Sequence, residues 1–521
     1  MSARIYAALS AETDDGEVVE TFKDTLTVTD GQLNTIYEKL FQEVVEDIQQ
    51  FGGVKKGDTR LVIKSTLQHS KMLEDNTTVV YCHGADSDFL PESYNGLGYL
   101  NLISIIFEIK ILLNEFKRTG SVKPADINLL FIEEPEAHTH PQMQAVFIKN
   151  IKHLIGKVVR NSEGVERPLQ TLVSTHSSHI VADSNFDDIK YFQKINGRTR
   201  SRNLKELEEL YANTGRPGHY KFLKQYLTLN RSQLFFADKA ILVEGDTERI
   251  LLPAMMRKLD QKDEGAAWTA GISAPLALLS QNITIVEVGA HSHIYELFLD
   301  FIGVKTLIIT DIDSAKEEEL FDAAGNVQIN ADGSAKKVRR AHAIEGATHT
   351  SNFSLQHYHG RGAELDYYLS LEFKQKTLRK DADTGTWSAH LDGELLCVYQ
   401  ISESDDVGAS YHARSFEDAF FHLNRSFVED VTARMDETVG FPSLKKGKLI
   451  KYIEKQIDSY VMSVDGITKK PSFAIEILLN SATNTISSIA PNGKSKDFNL
   501  EFDNWITPRY IEEGLEWIKR D

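Results

Sequence analysis

The sequence predicts an α/β protein built from two domains with mostly parallel sheets. Three observations carry this. Short apolar runs end in acidic residues at Asn128–Glu134, Lys239–Glu244 and Val304–Asp311. Helical spacing follows the first two, at Gln142 onward and at Ile250, Leu251, Leu252, Met255 and Met256. A continuous apolar run, then a turn, then a helix is the pattern of a buried parallel strand.

The chain has 521 residues, 41% apolar and 26% charged, enough for two or three domains with real cores. No apolar run approaches the roughly 20 residues that span a bilayer, and Met1–Tyr6 lacks the apolar core of a signal peptide. The two cysteines, Cys82 and Cys397, stand in no metal-binding spacing. A reducing cytoplasm is expected, with no disulfide. The net charge of −18 excludes broad nucleic-acid affinity through overall charge. A local basic groove remains compatible with it.

In chain order, Leu33 to Phe51 has helical spacing, and Thr59–Lys64 and Thr77–Tyr81 read as strands. Asn95-Gly96-Leu97-Gly98 opens a long apolar helix through Phe116. Asn128–Ile132 reads as a buried strand ending in Glu133-Glu134-Pro135-Glu136. A helix follows from Gln142 to about Leu154. Gln170–Thr175 is a further strand, ending in His176. Two acids at one strand end and Thr-His at the next resemble the far half of an ABC-type ATPase, and that resemblance implies roles the residue types suit. Glu133 would hold the Mg²⁺ water shell, Glu134 would polarise the attacking water, and His176 would meet the γ-phosphate. Free backbone N–H groups at Asn95, Gly96 and Gly98 would meet the γ-phosphate of a partner's nucleotide. His138 and His140 lack further zinc ligands and fit a turn.

From Asn196 to Ala237 the text turns helical and basic, and Arg198, Arg200 and Arg202 read as a solvated face. Beyond it, Gly245 allows a sharp turn after Glu244, which puts Glu248 on the first helical turn. Ile283 to Gly289 is a strand between the two acidic ones. The alternation Asp311-Ile312-Asp313 puts both carboxylates on one side of an extended chain. Glu244, Glu248, Asp311 and Asp313 then gather where open α/β sheets bind ligands, and oxygen donors suit two Mg²⁺ or Mn²⁺ ions. Asp322–Ala343, Asp381–Trp387 and Glu403–Gly408 read as exposed excursions. In the first of these, Lys336, Lys337, Arg339 and Arg340 either track phosphates or form a solvated loop. The histidines at 342, 349, 357 and 359 fall in no ligand spacing.

V-E-G-D-T-E followed by I-I-T-D-I-D-S resembles a Toprim domain. I-E-E-P-E-A-H-x-H-P, with N-G-L-G before and S-T-H-S after, resembles OLD-family (overcoming lysogenization defect) proteins. In these an ABC-like ATPase precedes a Toprim nuclease in one chain. The resemblance runs from about Glu92 to the C-terminus, patchily after about residue 320. It implies a partial ABC-type ATPase domain at 1–195, a helical connector at 196–236, and a Toprim nuclease domain with insertions at 237–521. It implies metal-dependent cleavage of DNA in phage defence or DNA repair. It also implies a homo-oligomer, and ATP as a ligand. It further implies a late acid, for which Glu417 is preferred to Asp418, and a late lysine in K-x-x-F-A context, Lys470. Glu244, Lys470 and, for ATP, Glu134 would be catalytic.

One departure concerns the phosphate loop G-x-x-x-x-G-K-[ST]. The nearest match, Gly52 to Thr59, puts Asp58 where the lysine belongs. The N-terminal lobe that carries this loop in the family is therefore expected to be absent, either by truncation or because a separate polypeptide supplies it, and ATP turnover by this chain alone is not expected. Two other readings stay open. A topoisomerase or primase would need a nucleophilic tyrosine domain or a zinc finger, and neither is visible. A catalytically silent regulator would bind nucleotide or partner only.

Overall fold

The computed structural model describes residues 16–50, 60–65, 77–83, 88–91, 96–118, 127–158, 169–195, 197–322, 325–330, 332–381, 383–405, 408–434 and 440–520. Asn95 and the Gly52–Thr59 segment lie outside them. The chain divides into two compact units, residues 1–190, 203–205 and 224–232, and residues 191–202, 206–223 and 233–521.

In the first unit a long helix, α1 (Gly16–Gln50), is followed by an antiparallel sheet in the order β1 (Arg60–Ser65), β2 (Thr77–His83), β3 (Asp88–Pro91). Helix α2 (Leu97–Arg118) precedes a parallel pair, β4 (Leu129–Glu133) and β5 (Gln170–Ser174), with α3 (Pro141–Val158) as the crossover. Ile103, Ile106, Ile132, Phe147 and Ile151 form the core where these helices cover the pair. Strand β4 was expected to be buried, but it buries only Ile132. Leu129 and Phe131 are exposed, because among the described residues the helices cover a single face.

The expected helical connector at 196–236 begins instead with a strand, the second of a pair. β6 (Lys190–Ile195) and β7 (Arg198–Asn203) precede helices Glu206–Asn213 and Pro217–Asn230. Arg202 is no solvated residue. Its guanidinium lies 3.9 Å from the Phe301 ring centre and donates to the Phe301 carbonyl at 2.6 Å. The stem of an arginine packs as well as it solvates.

The second unit is organised by a six-stranded sheet. The order is β15 (Trp387–Ala389), β14 (Thr377–Lys380), β16 (Leu395–Val398), β10 (Lys305–Ile309), β8 (Lys239–Val243), β9 (Ile283–Glu287). Strands β16, β10, β8 and β9 are parallel, and β14 and β15 form an antiparallel edge. Strand β9 follows β8 in sequence but sits at the sheet edge. The two acidic strands β8 and β10 are therefore neighbours, with Val243 opposite Ile309. Every residue of β8 is buried. Helices α4 (Asp246–Ala270), α6 (Phe416–Leu423), α7 (Lys470–Leu479) and α8 (Arg509–Lys519) share one core with the sheet, including Leu251, Leu307, Phe420, Phe473 and Ile511. Helix α8 approaches β10 so closely that a Cβ on Gly514 would stand 3.0 Å from Leu307 Cδ1. Trp268 of α4 donates to the Ser488 carbonyl of a hairpin formed by β19 (Asn484–Ile489) and β20 (Ser495–Leu500).

The excursion expected after Asp322 is largely ordered. β11 (Ser314–Glu319) pairs with β12 (Lys337–Ala341) and with β13 (His349–Thr350). Arg339 lies 3.3 Å from Glu317 and Arg340 3.5 Å from Glu318, so two of the four basic residues face cross-strand carboxylates on a strand rather than standing in a loop. Residues 383–386 cap the β14–β15 hairpin, and Glu403 lies in β17 (Ser402–Ser404), paired with β18 (Ser410–His412).

Candidate acid site at the strand ends

Glu244 follows β8 and Asp311 follows Thr310 at the end of β10, so strand adjacency alone brings them together. Glu244 Oε2 accepts from the Asp311 N–H at 2.8 Å and from the Thr310 hydroxyl at 2.6 Å. Glu248, on the first turn of α4, is only 6% exposed. Gly245 does not turn through a left-handed conformation, as its φ is −140°. Its hydrogen makes room instead. A Cβ there would stand 3.1 Å from Glu248 Oε2.

Asp311 is 8% exposed, and its Oδ1 accepts from the Phe416 N–H at 2.9 Å and Gln400 Nε2 at 2.6 Å. The Asp311–Asp313 segment is not extended. Asp313 has a φ of +48°, in the left-handed region. That turn sends its carboxylate to Arg414, 2.8 Å away. Ser415 caps α6, and Glu417 in the first turn accepts from the Thr247 hydroxyl at 2.9 Å and from Lys470 Nζ at 2.9 Å. Asp418 turns elsewhere, accepting from the Tyr411 hydroxyl at 2.9 Å and the Arg414 N–H at 2.8 Å. Geometry thus puts Glu417, and not Asp418, beside Lys470.

Burial dominates the electrostatics. It pushes Asp311 well above the usual carboxylate range, with Glu244, Glu248 and Glu417 adding repulsion. Burial, then Glu417, raises Glu248 to about 8. Burial and Asp313 raise Glu244, and burial raises Asp313 while Arg414 pulls it back. Burial alone would lower the Lys470 ammonium, but Glu417 reverses this and holds it above its ordinary value. An acid whose folded pKa is raised binds its proton more tightly folded than unfolded. Its contribution is therefore full at low pH and is lost as pH rises. In chelator, the melting temperature should fall between about pH 4.5 and pH 8, the window of Glu248. Thermal melts across that range check it, and Glu248→Gln should flatten the slope.

Among the described residues, no group of three or more His, Cys, Asp or Glu side chains stands arranged to hold a metal ion. Protein donors take the carboxylates instead. Lys470 is on Glu417, Arg414 on Asp313, Gln400 on Asp311 and Thr310 on Glu244. The donor set itself fits hard divalent cations, being all carboxylate and crowded enough to resist ionisation.

Sequence reading missed Gln400, which follows β16, a third strand end beside β10. Its Oε1 accepts from the Ile312 N–H at 2.8 Å, which forces Nε2 toward Asp311 and the Tyr510 hydroxyl. Gln400 is fully buried. Gln400→Leu should cost about 1–3 kcal/mol, because the Ile312 N–H and Asp311 each lose a partner in the interior. Chemical denaturation measures this. Thr247, Thr310, Arg414 and Asn352 were missed as well. Asn352 Nδ2 donates to the Thr310 hydroxyl and the Asp311 carbonyl, both at 2.7 Å. A polar residue at the end of a third apolar strand was the one available signal, and only for Gln400.

In the first unit, the structure brings Glu134 and His176 together at 3.2 Å. Glu134 has a φ of +42° and donates its N–H to the Ser174 carbonyl. Glu133, opposite Ser174 in the parallel pair, is exposed. Glu136, not singled out in the sequence, holds the segment that follows β5. Its Oε1 accepts from the His176 N–H at 2.5 Å and the Thr175 hydroxyl at 2.8 Å. Gly98, lacking a side chain, leaves room for the turn after β4. A Cβ on it would stand 2.5 Å from the His138 carbonyl oxygen. Gly96 is exposed with open space around it. His138, at a φ of +61°, serves that turn.

Carboxylates at the ends of two adjacent parallel strands, joined by an acid on the following helix, define a Toprim-type domain. Residues 235–313 match the overcoming lysogenization defect protein-like TOPRIM domain, and residues 2–181 match an AAA ATPase domain. The chain thus joins an AAA-type ATPase domain to an OLD-like TOPRIM domain. It is 25% identical to Endonuclease GajA of Bacillus cereus (strain HuB5-5), covering 96% of this chain and 64% of that protein. The Old nuclease of Escherichia phage P2 is 27% identical over 39% of this chain and 30% of its own length. Septu protein PtuA of Bacillus thuringiensis is 25% identical over 34% of this chain and 43% of its own length. The chain spans less than two thirds of each of these relatives.

Proposed function

We propose that this chain is a divalent-metal-dependent DNA endonuclease, with Glu244, Glu248, Asp311, Asp313 and Glu417 as the cation-holding set. The observation that carries the reading is the crowding of Asp311 and Glu248, both buried, with the partly buried Glu244 at two adjacent strand ends and the helix that follows, where folding alone gains nothing from their charge. Two relatives are described as an endonuclease and a nuclease. Mg²⁺ or Mn²⁺, when bound there, supplies activation of water and stabilisation of the leaving oxygen. The chain's own residues prepare this. Gln400 and the Phe416 N–H fix the Asp311 carboxylate, and the Thr310 hydroxyl fixes Glu244. Thr247 orients Glu417. Lys470, with 59% of its side chain exposed, is free to leave Glu417 for a phosphate oxygen. Work in phage defence or DNA repair, and coupling to ATP through Glu133, Glu134 and His176, belong to the same proposal. So does self-association of the chain.

The ion pairs Lys470–Glu417 and Arg414–Asp313 favour a second reading, a silent regulator whose site is closed by its own cations. A Mn²⁺ titration followed by electron paramagnetic resonance separates the two. The nuclease reading expects saturable binding that is lost in Asp311→Asn. Absence of binding by the parent chain would leave the regulator.

A further inference from the structure

A chain of net charge −18 needs a local handle to bring a polyanion to a carboxylate cluster. One stands beside Asp311. Residues 350–352 lie along residues 311–313. The Thr350 hydroxyl donates to the Ile312 carbonyl at 2.6 Å, the Ser351 N–H to the Asp313 carbonyl at 2.9 Å, and Asn352 Nδ2 to the Asp311 carbonyl at 2.7 Å. The next residue, Phe353, opens helix α5 (Phe353–His359) and remains 45% exposed, although Asn352 and Ser354 on either side are fully buried.

Around this ring stand imidazoles and a guanidinium. The His293 ring centre is 4.7 Å away, and the His357 ring lies roughly parallel at 6.5 Å. The Arg216 guanidinium lies over the Phe353 ring, 5.6 Å from its centre. His219 and His291 each edge against His293, at 5.8 and 5.9 Å, and His291 is exposed. His291 and His293 belong to the turn leaving β9. That strand is parallel to β8 and β10, so the turn lies on the same sheet edge as Glu244 and Asp311. The one acid in this group, Glu296, is already engaged by His357 at 2.6 Å, Trp387 at 2.8 Å and Lys380 at 3.0 Å. The surface is therefore aromatic with Arg216 as its cation, since burial holds the His293 imidazole neutral, its pKa down to about 3, and among the described residues of this group the one carboxylate is already paired.

We propose that Phe353, with Arg216 over its ring and His293 against it, stacks an unpaired base of the DNA strand that is cut, so that the substrate is single-stranded beside the scissile phosphate. An aromatic face with one or two cations beside it is how proteins hold unpaired strands. Base stacking supplies the binding where phosphate contacts are few. Paired B-form DNA keeps its base faces covered and offers this patch only its backbone. The proposal rests on the nuclease reading for the cutting, whereas the binding is read separately.

The test is fluorescence anisotropy of the full chain, in chelator, with a labelled thymine-rich single strand and with a blunt duplex of equal length. Phe353→Ala should weaken single-strand binding about tenfold or more and leave duplex binding within about twofold. Phe353→Trp should restore it, and it keeps the test open should the alanine variant melt early. Arg216→Gln should weaken both ligands and flatten their salt dependence. Parental single-strand affinity in Phe353→Ala, or equal loss on both DNAs, overturns the proposal. A parent chain that binds the strand through Phe353 yet cuts no DNA with Mg²⁺ or Mn²⁺ overturns the nuclease reading and leaves this site standing. A parent that cuts DNA while both Phe353 variants bind and cut as it does overturns this site alone.

Discussion

Asp311→Asn and Glu244→Gln are each expected to lower DNA cleavage on the order of 10²–10³-fold or more, the scale for losing one preorganised electrostatic group at a reacting centre. Both replacements keep size and most hydrogen bonding. The amide oxygen in Asp311→Asn can still accept from Gln400 and the Phe416 N–H, as the carboxylate does. Folding should be unharmed or improved in chelator, because each change removes a buried charge that its neighbours repel. If these acids were only turn or cap residues, the pattern would invert. Stability would then fall by about 0.5–2 kcal/mol, with cleavage untouched. Melting temperature and nicking rate, measured on the same samples, decide between them.

Lys470→Ala should have the next largest effect, about 10²-fold on rate, for loss of a cation on the developing phosphate charge. Its stability signature differs from that of the acids. Glu417 is buried, and Lys470 is its one cationic partner among the distances above. Breaking a fully buried pair costs about 3–5 kcal/mol. The exposure of Lys470, 59%, brings that down toward about 1 kcal/mol. The variant should thus melt lower in chelator and regain stability with Mn²⁺, without regaining rate. Lys470→Arg should recover the stability first, since the guanidinium also pairs with a carboxylate. A Lys470→Ala protein that cleaves at the parental rate would remove the lysine from the chemistry and leave it as a counter-charge to Glu417.

The sheet was legible because its strands are written as unbroken apolar runs with acids at their ends. Helical spacing follows Lys239–Val243, and Lys305–Ile309 repeats its pattern of an apolar run ending in acids. Glu244, Glu248, Asp311 and Asp313 came with them, since position at a strand end is a local property. What was not legible lies in long-range contact. Gln400 reaches Asp311 across 89 residues, Thr247 reaches Glu417 across 170, and Arg414 reaches Asp313 across 101. No spacing rule carries over such separations. The left-handed turn at Asp313 was misread for a related reason. Asp-x-Asp alternation implies an extended chain only while a strand continues, and β10 ends at Ile309. For Lys337, Arg339 and Arg340 the sequence left phosphate tracking and a solvated loop both open, because charge alone does not reveal a cross-strand partner. Glu317 and Glu318 lie on the strand that pairs with them. In the first unit, Glu134 and His176 were legible as neighbouring strand ends, but the role of Glu136 depends on a turn the sequence does not specify.

The most direct measurement is nicking of supercoiled DNA by the full chain, with Mg²⁺ or Mn²⁺, in excess chelator, and with Asp311→Asn under both conditions. The account predicts open-circular product from the parent with metal, none in chelator, and none from Asp311→Asn in either. Product formed in chelator, or formed equally by Asp311→Asn, would contradict it.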